Sequence, residues 1–223
     1  MTLDVHRHFH DELSHVKVRL LTMSGEAEAA LGLAVEALLE RDSEKAQRVI
    51  AGDRVIDAME VEIEEQSINL LALQQPMARD LRMLTSALKI ANDLERVGDH
   101  AVNIAQSAER LNQARPIAPE PEIVDMARLA REMLSDVLEA FIRGDAEAGR
   151  EVCRRDDKVD ALHRSVFRIL LTHMMEDPQN IGQSTLLGST SYLSSPRPML
   201  RFQVRSARKM RPSFPSCTIF LAS

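Results

Sequence analysis

Residues 36–58, EALLERDSEKAQRVIAGDRVIDA, return in pattern at 139–161 as EAFIRGDAEAGREVCRRDDKVDA. A shift of 103 residues without a gap lays Glu36, Ala37, Asp42 and Glu44 on Glu139, Ala140, Asp145 and Glu147. The same shift lays Val49, Asp53, Asp57 and Ala58 on Val152, Asp156, Asp160 and Ala161. One residue short of it, Gln75-Pro76 falls on Asp177-Pro178. The period is too long for a solenoid repeat, so the chain reads as a duplicated three-helix unit.

Outward from the repeat, the apolar spacing gives the helices. Phe9, Leu13, Val16, Leu20, Met23, Ala27, Leu31, Ala34 and Leu38 alternate at three and four, one seam on a long helix over about 9–41. Asp42-Ser43 offers an N-cap for a second helix over about 43–74. Gln75-Pro76 breaks it, and Pro76 suits the first turn of a third helix over about 76–112. Residues 113–121 hold three prolines and read as a linker. Two further helices follow over about 122–143 and 145–176, parted by Gly144-Asp145 as the first two are by Arg41-Asp42. The expected organisation is a first three-helix repeat over 1–112 and an incomplete second one over 122–181. Residues 182–223 make a disordered tail. The fold class is all-α, two tandem three-helix bundles with the second lacking a normal last helix.

Composition agrees. The 223 residues are 44% hydrophobic and 28% charged, enough to bury a core, while aromatics are only 3%, which favours packed helices over a β-sandwich. No apolar run reaches the ~18 residues of a membrane span, and Met1 to Asp11 lack a signal-peptide core. A cytoplasmic protein is expected, without direct membrane insertion and without a nucleic-acid partner. Cys153 and Cys217 are isolated and fit neither a disulfide framework nor a CxxC metal site.

The net charge of −6 hides a break. Residues 1–177 carry all 34 acids against 22 Lys and Arg; residues 178–223 carry six Lys and Arg, no acid, five of the nine prolines and nine serines. A sixth helix should begin at Pro178, yet the chain meets Gly182, Gly188, Pro196 and Pro198 there. A shifted reading frame beyond about residue 181 explains the loss of acids and of helical period together.

Three acid pairs could carry chemistry: Asp53/Asp57, Glu95/Asp99 and Asp156/Asp160. A spacing of four sets both carboxylates on one helix face. Two such pairs on facing helices would make a site for a hard cation such as Mg, Ca, Mn or iron. Acid pairs at this spacing also arise by chance on solvated faces. Two details favour the metal: Asp53 falls on the seam of Ala46, Val49, Ile56 and Ile63, and the repeat reproduces the first pair as the third.

Other features are weaker. A di-iron bundle needs paired ExxH motifs, and Glu12/His15 stands alone. His6, His8 and His10 would suit a metal only in an extended segment, and a solvated start accounts for them. His100 fits a helix surface or a partner to a metal ligand. Met174-Met175 reads as core. No phosphate-binding Gly-rich loop or nucleophile elbow occurs. The chain is not expected to be an enzyme; a metal-carboxylate enzyme and a plain helical scaffold are the competing readings.

Leu70-Leu-Ala-Leu-Gln-Gln-Pro-Met-Ala-Arg-Asp-Leu-Arg82 and Asn92-Asp-Leu-Glu-Arg-Val-Gly-Asp-His-Ala-Val-Asn-Ile104 resemble the PhoU family of phosphate-signalling proteins. Met174-Met-Glu-Asp-Pro-Gln-Asn-Ile181 resembles the turn into that family's last helix. The likeness runs to about residue 181. It implies two three-helix bundles and a negative regulator of the phosphate-starvation response that couples a Pst-type phosphate ABC transporter to a PhoR-type sensor kinase. It also implies a homodimer, peripheral at the inner membrane through its partners. By the family's E/DxxxD signature, the implied metal ligands are Asp53, Asp57, Glu95 and Asp99, with Asp156 and Asp160 in the second unit; iron, Mn or Mg is the implied metal. The second signature of that unit should fall at Arg197 and Arg201, where two cations cannot complete a cage.

Overall fold

The computed structural model describes residues 2–74, 76–113, 121–176 and 181–193. Six helices follow one another: α1 (Thr2–Glu40), α2 (Ser43–Gln74), α3 (Ala78–Asn112), α4 (Pro121–Arg143), α5 (Ala146–Glu176) and α6 (Ile181–Leu193). The whole α1 seam read from the sequence, Phe9 to Leu38, is buried. Helix α1 starts at Thr2 rather than near residue 9, so His6, His8 and His10 lie on helix and not on an extended segment. Pro76 precedes α3, and Met77 takes the N-cap position in extended backbone, φ −71° and ψ 161°.

The repeat is visible in the turns. Arg41 has φ 57° and Gly144 φ 67°, and these two left-handed residues are 103 apart. The first helix of each unit therefore ends the same way, with the following N–H reaching back five residues: Asp42 N donates to Ala37 O (3.0 Å), Asp145 N to Ala140 O (2.8 Å). Each aspartate then caps the next helix. Asp42 Oδ1 accepts from Glu44 N and Lys45 N, and Asp145 Oδ1 from Glu147 N and Ala148 N. Glycine takes the left-handed conformation freely; Arg41 takes it at a cost of about 1–2 kcal/mol. Its guanidinium donates to Leu111 O at the end of α3 (2.7 Å), which offsets that cost.

Helices α1, α2 and α3 pack against one another as the first bundle, α5 packs on α4 and α6, and α1·α4 and α3·α6 contacts join the two units. Ile56, Ile63, Leu84, Ile90 and Leu94 close the first core with α1. Leu134, Leu138 and Phe141 of α4 enter that same core, while Met126, Met133 and Val137 on its other side meet Val152 and Val159 of α5. Gly32 lets α4 come close to α1: a Cβ there would sit 2.9 Å from the Arg131 guanidinium. Burial raises the carboxyl pKa of nearby Glu28, opposed by the Ser24 hydroxyl, the Arg131 charge and Ser135.

Helix α6 corrects the sequence reading. Residues from 182 were expected to be disordered, but 181–193 are helical and packed against α5 and α3. Leu187 is buried at 3% exposure within the core shared with Val166 and Leu170, and Ser184 is fully buried. Close packing here outweighs the poor helix propensity of Gly, Ser and Thr. Arg197, Arg201 and Cys217 lie outside the described residues, as does most of the linker at 114–120.

Candidate metal centre

Helices α2 and α3 run antiparallel, and side-chain bonds fix their register. Asn112 Nδ2 donates to Ser43 Oγ (2.9 Å) at one end, Gln47 Nε2 to Glu109 near it, and Asn92 Nδ2 to Glu60 Oε1 (3.1 Å) further along. Between these ties Gly98 opens the α3 face. A Cβ on it would lie 3.0 Å from Ile56 Cδ1 and 3.3 Å from Asp53 Oδ1. Asp53 is thereby held, half-buried, against the backbone between Glu95 and Asp99.

The two sequence-predicted pairs of the first unit thus share one groove. Burial, then Asp57 and then Asp99 push the Asp53 carboxyl above the usual carboxylate range. Burial first, then Asp99, Glu60, Asp57 and Asp53, do the same to Glu95. Among the described residues no Lys or Arg pairs with any of Asp53, Asp57, Glu95 or Asp99. This is a concentration of negative charge left uncompensated by any described Lys or Arg. Glu60 was missed in the sequence. The signal was present, since it stands seven residues after Asp53 and so on the same helix face.

The donors are hard oxygens on two facing helices, which suits Mg, Ca, Mn or iron. They are not drawn together as a coordination shell: among the described residues no three His, Cys, Asp or Glu side chains converge closely enough to hold an ion. The donor chemistry fits a cation; the groove is open and would have to close on it. His100, next to Asp99, is half-buried, and its Nδ1 has no hydrogen-bond partner among the described residues. Burial, and secondarily Arg96, lower its pKa against the pull of Asp99, so it is neutral at neutral pH.

The second unit is different. Asp156 and Asp160 are half-buried on α5, but α6 offers no acidic residue opposite them. The structure therefore sets four of the six predicted ligands along one open groove, without converging them on a point, and leaves the other two as a single pair. Glu12 and His15 sit together on α1 without a second such motif facing them among the described residues.

A family model described as the PhoU domain matches residues 20–108 and 123–195. The chain belongs to the PhoU family. The family likeness continues past Ile181 to residue 195, which corrects the expected break at 181 and agrees with the presence of α6. The "Phosphate-specific transport system accessory protein PhoU homolog" of Aquifex aeolicus is 41% identical over 173 residues, 78% of each chain. The "Phosphate-specific transport system accessory protein PhoU" of Escherichia coli K12 is 37% identical over 188 residues, 81% of this chain and 76% of its own. A crystal structure of PhoU from Pseudomonas aeruginosa superposes with a TM-score of 0.83 at 32% identity, over 91% of this chain and 96% of that one. The Pseudomonas aeruginosa PhoU structure thus shares the fold of this chain.

Proposed function

We propose that this chain is a non-catalytic regulator of phosphate uptake, accessory to a phosphate-specific ABC transporter. The observation that carries the reading is a family match through both repeat units, together with relatives whose names describe accessory proteins of the phosphate-specific transport system. In this reading it couples the Pst-type transporter to a PhoR-type sensor kinase and restrains the starvation response when phosphate is plentiful. It acts in the cytoplasm, reaching the inner membrane through these partners, and no helix among the described residues is long and apolar enough to cross it. Asp53, Asp57, Glu95 and Asp99 hold a divalent cation that clamps α2 to α3, with Asp156 and Asp160 a weaker second pair. The resident ion neutralises the groove and stiffens the helix pair; no chemistry passes through it. An exposed stripe on α5 supports a homodimer.

The test is affinity co-purification of the full chain from phosphate-replete cells. Transporter and sensor-kinase subunits recovered with it support the reading. Their absence, with the starvation response unchanged when the gene is deleted, sinks it. Catalytic turnover of phosphate esters or oxygen by the metal-loaded protein would favour the enzyme reading instead.

A further inference from the structure

At the end of the molecule where α3 begins and α4 ends, a cleft of about 550 Å3 opens against the first third of α1. Its floor rests on the buried Leu13, Met83 and Phe141, while most of its accessible lining is polar. Around that floor stand Lys17 of α1, Arg79 of α3 and Arg143 of α4, with His10 beside them. Among the described residues Asp80 is the one acid lining the cleft, so their formal charge is +2 with the histidine neutral. Residues 1–177 as a whole carry 34 acids against 22 bases, and the cleft reverses that sign.

The cations come from three helices that the sequence keeps more than sixty residues apart. Neither Lys17 nor Arg79 has a carboxylate partner among the described residues, and Arg143 has only an exposed pair with Glu139 one turn away. Such solvated pairs are readily exchanged. Helix α3 adds to the field: Arg79 stands on its first turn, at the positive end of the helix, where the N-cap Met77 makes no side-chain cap bond. A cationic rim over a low-dielectric floor concentrates anions. The geometry points to this cleft as a binding site for a phosphate-type oxyanion, held by Lys17, Arg79 and Arg143. The volume takes a hydrated phosphate ion or the phosphoryl group of a larger molecule, and the two share one recognition chemistry. Its use as a sensor of phosphate rests on the regulatory reading above; the binding itself does not.

Calorimetric titration of the full chain with inorganic phosphate, in chelator and low chloride, tests the site. Saturable binding is expected, weakened about tenfold or more by Lys17→Gln with Arg79→Gln. Arg128→Gln, about four turns along α4 from Arg143, should leave it unchanged, and thermal unfolding of each variant checks that the fold is kept. Arg79→Gln alone, at an exposed position, should weaken binding in the same direction. ATP titrated in parallel separates the two sources: tighter binding of ATP, lost in the same double variant, assigns the cleft to a phosphoryl group on a carrier. No saturable phosphate or ATP binding, or binding undiminished in the double variant, overturns the proposal. Binding that appears only with added divalent metal and survives the double variant overturns it too, since that phosphate would sit at the acid groove. Phosphate binding with failed co-purification leaves the site standing and rejects the regulatory reading, so the two failures are distinct.

Discussion

Asp53 reaches α3 because residue 98 is glycine: the carboxylate oxygen lies 3.3 Å from the place a Cβ would occupy there. Alanine would favour the helix by about 1 kcal/mol. Its methyl, however, would also stand 3.0 Å from Ile56 Cδ1, a side chain fixed in the core at 3% exposure. Overpacking of that kind costs about 1–3 kcal/mol. Gly98→Ala should therefore destabilise by roughly 1 kcal/mol net. Gly32→Ala should not, because the group in its way is the free end of Arg131. Urea unfolding of the two variants should move in opposite directions or leave Gly32→Ala unchanged.

The carboxylates of the groove set a pH dependence. Asp53 and Glu95 have pKa values raised in the folded state, so folding takes up protons there. Their favourable contribution is complete below the ordinary carboxylate values of the unfolded chain and is lost as pH rises through the raised folded values. Metal-free protein should gain stability as pH falls from neutral toward the upper carboxylate range. Asp53→Asn with Glu95→Gln should be more stable than the parent at neutral pH and show a flatter profile. Thermal unfolding across that window, in chelator, reads the difference between the two proteins.

With a divalent cation the sign reverses. Mn or Mg at a hundredfold excess over its Kd should stabilise by about 2.7 kcal/mol, or roughly 5–10 °C in Tm. Removing Glu95 and Asp99 together should abolish that shift and the stoichiometric metal, while circular dichroism stays helical because few apolar contacts are lost. Undiminished metal in the double variant would falsify the assignment.

The sixth helix can be weighed through Leu187. Deleting its buried side chain should cost about 2–4 kcal/mol if α6 is part of the cooperative fold. Leu187→Ala is expected to lower the urea midpoint without changing helix content in native buffer. No change would mean that α6 contributes nothing to stability.

Phe167, Leu171 and Met175 follow one another at spacings of four on α5 and are 54%, 42% and 85% exposed. This is a continuous apolar stripe of the kind that associates. We expect dimers at micromolar concentration by sedimentation, and a shift toward monomer with Phe167→Glu and Leu171→Glu. A parent chain that sediments as a monomer would remove the support for a homodimer.

What could be read from the sequence followed from local period. The α1 seam, the cap at Asp42 and the break at Gly144-Asp145 are set by residues within a few turns of each other, and the structure places them as the pattern requires. Convergence of Asp53 with Asp99 needed the register of two helices, which only the repeat hinted at. Helix α6 was illegible for a different reason. Gly182, Gly188 and its serines argue against a helix locally, while the burial of Leu187 beside Val166 and Leu170 decides for it through packing. The cleft of Lys17, Arg79 and Arg143 had no local signature at all, because three separate helices supply its charges.

The bond from Arg41 to Leu111 O spans 70 residues and ties the α1–α2 turn to the last turn of α3. It needs the last turn of α3 to lie against the α1–α2 turn, so a contact this far apart in sequence is expected to form late in folding. Interactions absent from the transition state slow unfolding without speeding folding. Arg41 thus acts as a latch on the lifetime of the first unit, whereas Gly144, in the matching turn of the second, has no side chain to latch with.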